Sequence, residues 1–160
     1  VWELVGRAEI GPRIAAGAGA IVGVLRSSAA SNTTRPSPER WSTLEYGAHV
    51  RDVLLHVRDR FVIGAVEHEP EFKPLYRDER VALGLYARDD AATVSSELDA
   101  AAGLFVRTFA AFDEEQLARL CRYSYPTVST RTLLWMGQQV VHEVEHHRGD
   151  VEENLRLLAG

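Results

Sequence analysis

From Leu133 to Leu158 the side chains that seek a core return at helical spacing. Leu133, Gly137, Val140, Val144, Val151, Leu155 and Leu158 share one narrow sector when each residue advances about 100° around the axis. So long a stripe demands a helix covered along one side by other helices, and three further stretches can supply the cover. Pro12 suits the first turn of a helix running to about Leu25. Ser42-Thr43-Leu44-Glu45 is a capping box, with Trp41 and Tyr46 placed as a hydrophobic staple. It opens a helix that should reach about Val66, with Val50, Leu54, Val57, Phe61 and Ala65 as the buried stripe. A third helix is expected over Ala91–Phe112, its apolar side formed by Val94, Leu98, Ala101, Leu104, Phe105, Thr108 and Phe112. Ser129 is the expected N-cap of the last helix.

The segments between are read as connections. Ser27 to Arg40 is rich in Ser, Thr, Asn and Pro, and Glu67 to Arg80 contains Pro70 and Pro74. A short helix is expected over Val81–Tyr86 and a turn after Asp113, with Tyr123–Val128 linking to the last helix. No stretch alternates apolar and polar residues between turn signals, so strands are not expected. The predicted fold is all-α: a four-helix bundle with long crossover connections, folding as a single domain over 1–160.

Charge and composition narrow the function classes. A formal net charge of -5 lacks the basic face that phosphate binding needs, so nucleic acid is not an expected partner. Cys121 is alone, which excludes an intramolecular disulfide and a Cys-based metal site and points to a cytoplasmic setting. It is expected to be a small buried residue; a nucleophile would need an electropositive neighbour, and Arg122 is the only hint of one. The apolar run Ile14–Leu25 is shorter than the about 20 residues that span a bilayer. With Arg13 before it and Ser28-Ala29-Ala30 after it the run imitates a signal peptide, but a core helix and no membrane association are expected.

The chemistry concentrates in Val140–Val151, which holds His142, Glu143, Glu145, His146, His147 and Asp150. His142-Glu143-x-x-His146 matches the zinc-peptidase string, but that reading lacks a third histidine at Glu152 and a sheet to hold substrate. Helical geometry favours another pair. Relative to the core sector His147 lies roughly 40° and Glu143 roughly 80° away on one flank, while His142 and His146 lie roughly 140° to 180° away, beside Gln139 and Glu153. Glu143 and His147, four residues apart, project two ligands from one face. His49 at the edge of the second helix's stripe is the best third ligand, with His56 as substitute, and His68 falls in a loop. Asp150 or Asp52 could accept a hydrogen bond from a ligand imidazole and fix its tautomer.

Trp41-Ser42-x-x-Glu45-x-x-x-His49-x-x-Asp52, together with Glu143-x-x-x-His147-x-x-Asp150-Val151, resembles the DinB-like superfamily. The likeness runs from about Pro12 to Leu158 and is strongest to the branch that includes the N-terminal domain of mycothiol-dependent maleylpyruvate isomerase. It implies a metal held by His49, Glu143 and His147, usually zinc and sometimes nickel or iron. It also implies a low-molecular-weight, mycothiol-like thiol as cosubstrate, activated for S-transfer to, or isomerisation of, a small electrophile. Arg51, Arg58 and Arg60 are candidates to meet an anionic substrate. Small molecules are thus the expected partners, with a homodimer as a possible assembly. The alternative is a non-catalytic metal-binding stress or interaction module, and an HExxH metallopeptidase stands a distant third.

Overall fold

The computed structural model describes residues 4–27 and 31–159, so the part of the first connection at 28–30 lies outside the described residues. Four long helices dominate: α1 (Arg7–Ser27), α2 (Thr43–Val66), α4 (Ala91–Ala110) and α6 (Leu133–Ala159). Two short ones, α3 (Arg77–Ala82) and α5 (Glu114–Leu117), lie in the connections. Both α1 and α2 pack chiefly on α4 and α6 and touch each other lightly, so α1 and α2 are diagonal across the bundle. Phe61, Phe105, Leu98, Ile14, Ile21 and Val140 lie in its shared core.

Local signals explain most helix ends. Ser42 Oγ accepts from the Glu45 N–H at 3.2 Å, and Glu45 Oε2 accepts from the Ser42 N–H at 2.8 Å. Trp41 and Tyr46 close the staple with ring centroids 5.5 Å apart. Glu45 is buried and paired bidentately with Arg35, so this cap is tied to the α1–α2 connection as well as to α2. Burial works to raise the Glu45 pKa, but the Arg35 hydrogen bond and the Ser42 N–H outweigh it and hold the carboxyl below its usual range. Ser42→Ala should destabilise the protein by about 0.5–2 kcal/mol, as measured by urea unfolding. Asp90 caps α4 by accepting from the Thr93 N–H at 2.9 Å.

Several boundaries differ from expectation. Pro12 lies inside α1 because the helix starts at Arg7, where the Glu9 carboxylate accepts from the Gly6 N–H at 2.9 Å. The proline forgoes one intrahelical hydrogen bond, to the Ala8 carbonyl. The short helix begins at Arg77 rather than Val81 and stops before Gly84, whose φ of +69° breaks helical geometry. Leu104 on α4 faces solvent, and Phe109 takes the core position.

The expectation of no strands is overturned. β1 (Glu71–Phe72), β2 (Leu120–Tyr123) and β3 (Ser129–Thr132) form a three-stranded sheet in the order β1-β2-β3. β1 pairs with β2 in parallel, Phe72 opposite Tyr123, while β2 and β3 are antiparallel, Arg122 opposite Thr130. Ser129 therefore belongs to β3, and Thr132 serves the start of α6, its Oγ1 accepting from the Trp135 N–H at 3.1 Å.

α1 is long and apolar enough by length and composition to cross a membrane. Here Ile10, Ile14, Ala18, Ile21 and Leu25 are buried in the bundle, as in a core helix. At Gly17 a Cβ would stand 2.6 Å from Val144 Cγ1, so the glycine lets α1 approach α6 closely beside Glu143.

Candidate metal centre

His49 reaches the centre from the second turn of α2, and Glu143 and His147 from adjacent turns of α6. The α2 entry is clamped onto α6 near these residues. Asn154 Nδ2 donates to the Trp41 carbonyl at 2.8 Å, and Arg40 lies 3.5 Å from the Asp150 carboxylate. His49 and His147 are 2% and 5% exposed, so their ring nitrogens have little access to water.

The three donors converge. Glu143 Oε2 lies 3.9 Å from His49 Nε2 and 3.6 Å from His147 Nε2, and the imidazole rings meet edge to face with centroids 4.8 Å apart. Two ligands each about 2.1 Å from a tetrahedral zinc stand about 3.4 Å apart, so these spacings are close to those of a zinc site. Both ring nitrogens of His49 and Nε2 of His147 are buried with no hydrogen-bond partner among the described residues. Buried polar atoms are rarely left so, and an ion is one of the few things that accounts for several on facing residues. The donor set of two imidazoles and a carboxylate fits a divalent first-row metal.

The surroundings hold each donor in a usable form. His147 Nδ1 lies 3.0 Å from Asp150 Oδ2, which turns Nε2 toward Glu143 and His49. Burial works to lower the His147 pKa, but the hydrogen bond to Asp150 and the Glu143 carboxylate outweigh it, and the value is raised. Burial lowers the His49 pKa, with Glu143 opposing, and so favours the neutral imidazole that a metal requires. Glu143 is held well below the usual carboxylate range: burial would raise it, but His147 and His49 stabilise the anion. Its other oxygen accepts from Gln139 Nε2 at 2.9 Å, and Gln139 Oε1 accepts from the Tyr123 hydroxyl at 3.2 Å. Trp41 and Tyr46 wall off His147 from one side.

The remaining sequence candidates are dispersed. His142 and His146 project from the exposed outer face of α6, their rings stacked 5.9 Å apart. Gln139 is buried beside Glu143 rather than on that outer face. Asp52 does not meet an imidazole: Arg80, Tyr86 and Arg51 donate to it, at 2.6, 3.1 and 2.9 Å, and it anchors the α2–α4 connection instead. His56 stands 2.8 Å from Arg60 and outside the donor cluster, and His68 is exposed. Arg51 is paired with Asp52, Asp89 and Glu97, and Arg58 with Asp59. Cys121 is fully buried, which pushes its thiol up to about 11, and Arg122 turns outward to Glu71.

A cavity of about 270 Å³ runs from His49 and Glu143 past Val53, Val57, His56 and Arg60. Its far walls are Pro74–Glu79 and Tyr123–Tyr125, the parts of the chain that the sheet and α3 position. A second cavity of about 380 Å³ lies across Tyr123, Gln139 and Glu143 and includes Trp135 and His142. Arg60 is 6% exposed, lies with its guanidinium over the rings of Phe72 and Tyr123, and donates to the Lys73 carbonyl. Among the described residues it makes no ion pair with a carboxylate. Arg40 and Asn154 carry no spacing signal in the sequence, whereas Gln139, one turn before Glu143, does.

Comparison with known proteins agrees with the architecture. YfiT from Bacillus subtilis, described as a probable metal-dependent hydrolase with an unusual four-helix bundle topology, superposes with a TM-score of 0.85 at 14% identity. The match covers 96% of this chain and 87% of YfiT. A variant of mycothiol-dependent maleylpyruvate isomerase matches with a TM-score of 0.75 at 12% identity, over 94% of this chain and 62% of the isomerase. No curated protein matches the sequence. The family model of the DinB superfamily matches residues 24–151, a span that contains α2, the sheet and all three converging donors, and the chain belongs to that superfamily.

Proposed function

We propose that this protein is a metal-dependent enzyme that transfers a low-molecular-weight thiol to a small electrophile, or uses the thiol to isomerise it, with His49, Glu143 and His147 as the metal ligands. The observation that carries the reading is the group of buried, unpartnered imidazole nitrogens facing a carboxylate at the end of a cavity. When bound, a divalent cation, zinc by donor set with nickel or iron as alternatives, supplies the Lewis acidity that lowers the pKa of a thiol at its open position. Asp150 orients His147 by accepting from Nδ1, and Gln139 holds the outer oxygen of Glu143, leaving Oε2 toward the histidines. Val53, Val57, Leu75 and Tyr123 offer the electrophile an apolar bed. Of the three candidate arginines, only Arg60 lines this cavity and only Arg60 lacks a carboxylate partner among the described residues, so it is the group to meet a negative charge on the substrate. The likeness to mycothiol-dependent maleylpyruvate isomerase supports a thiol cosubstrate, and that to YfiT makes hydrolysis the second reading.

Protein loaded with zinc, nickel or iron and incubated with a panel of bacterial thiols and an electrophilic chromophore tests this reading. Metal-dependent S-conjugation is expected, reduced roughly 100-fold or more by His147→Ala. With a carboxylate-bearing chromophore, Arg60→Gln should raise KM about tenfold or more, and a neutral analogue should be less affected. Turnover of ester or amide substrates without thiol would favour hydrolysis. Full metal content without turnover of any substrate would favour the non-catalytic module.

A further inference from the structure

The inward half of Val140–Val151 forms the candidate centre, but its outward half has its own geometry. His142, His146 and Asp150 follow one another at one-turn intervals along the outer side of α6. His146 is exposed, with Nε2 3.6 Å from Asp150 Oδ2. Ligand atoms of His146, His147 and Asp150 lie within 4.8 Å of one another, and the His142 ring stacks on that of His146. Two exposed imidazoles and a carboxylate give up little hydration on binding a cation, and their nitrogens select zinc, nickel or copper over calcium or magnesium.

We propose that this ridge is a second, outer binding site for a divalent transition metal, with His146 and Asp150 as its core and His142 as the additional ligand, and that its occupation acts as a brake on the inner centre. The coupling arises because one oxygen serves both places. Asp150 Oδ2 lies 3.0 Å from His147 Nδ1 and 3.6 Å from His146 Nε2. A cation on the outer face draws that oxygen away from His147 and removes the bond that orients the inner ligand. Loss of such a supporting bond costs roughly 10–100-fold in metal affinity. Arg40, 3.5 Å from the other Asp150 oxygen, opposes a cation there, so the outer site is the weaker of the two. Occupation of the outer site does not depend on the inner ligand assignment; the brake does rest on it.

Zinc titration of the metal-free, full-length protein by calorimetry separates these claims. The expected result is a tight and a weak class of site. The exposed double variant His142→Ala/His146→Ala should lose the weak class, its affinity falling about tenfold or more, and keep the tight one. His49→Leu should do the reverse. If the double variant, folded by circular dichroism, binds zinc with the stoichiometry and affinities of the wild type, the outer site is refuted. If only the tight class is missing from the wild type, the inner assignment fails and the outer site stands. In thiol conjugation, zinc beyond the first equivalent should inhibit the wild type roughly tenfold and leave the double variant unaffected. Equal inhibition of both proteins would overturn the brake.

Discussion

His49→Leu will raise the melting temperature of the metal-free protein while abolishing the stabilisation that zinc gives through the inner centre. A histidine that is 2% exposed, with both ring nitrogens unpartnered, is costly in a core, since each buried unsatisfied group costs about 1–3 kcal/mol. Leucine has a comparable volume and no polar atom, and Val50, Val53 and Leu54 already provide an apolar neighbourhood on α2. A gain of about 1–3 kcal/mol corresponds to roughly 2–12 °C for a domain of this size. Occupation of a site at about 1,000 times its dissociation constant stabilises a protein by about 4 kcal/mol, and the inner centre's share of the zinc shift should be absent from the variant. Differential scanning fluorimetry with and without zinc reads both effects. A metal-free variant less stable than wild type, with the zinc shift intact, would make His49 a structural core residue.

Phe61→Ala should have the opposite pattern, a large loss of stability with the zinc shift retained. Phe61 is fully buried at the α2–α4 contact, its ring edge to face with Phe105, Phe109 and Phe112 at 5.7, 5.5 and 5.6 Å. Removing a ring of this kind costs about 3–5 kcal/mol in lost transfer energy and cavity formation. The position is about 18 Å along α2 from His49, at 1.5 Å per residue, so the donor geometry is left alone. Denaturant unfolding with an unchanged m-value checks the first part, and the zinc-induced change in midpoint checks the second. A loss below about 1 kcal/mol would show that this aromatic cluster does not hold α4 onto α2.

The difference between these two positions follows how much of each was legible beforehand. Phe61 belongs to a helical stripe, and the stripe on α2 needed only the period of the helix and the Ser42–Glu45 cap, both signals within a few residues. Glu143 and His147 were separable from His142 and His146 for the same reason, because turning about one axis decides which face meets the core. His49 was legible as a position near a stripe, but its distance from Glu143 depends on how α2 and α6 cross. Asp52 shows where that logic stops: three residues after His49 it suits an orienting role, yet Arg80 and Tyr86 arrive from the α2–α4 connection and occupy it.

The sheet was invisible for a definite reason. Glu71–Phe72 has two residues, Ser129–Thr132 is polar apart from its methyl groups, and Leu120-Cys121-Arg122-Tyr123 exposes its leucine and buries its cysteine. None is long enough to show a clear apolar period, and β1 is held by a partner far along the chain, Glu71 opposite Arg122. By itself, then, the sequence determined the four long helices, most of their inward faces and the pair of donors on α6, because helical order is written in neighbours three and four residues apart. Only the tertiary structure decided that His49 meets that pair, that β2 and α3 wall the cavity, and that Arg60 lies in it without a carboxylate. Those are contacts between segments, set by packing and not by local periodicity.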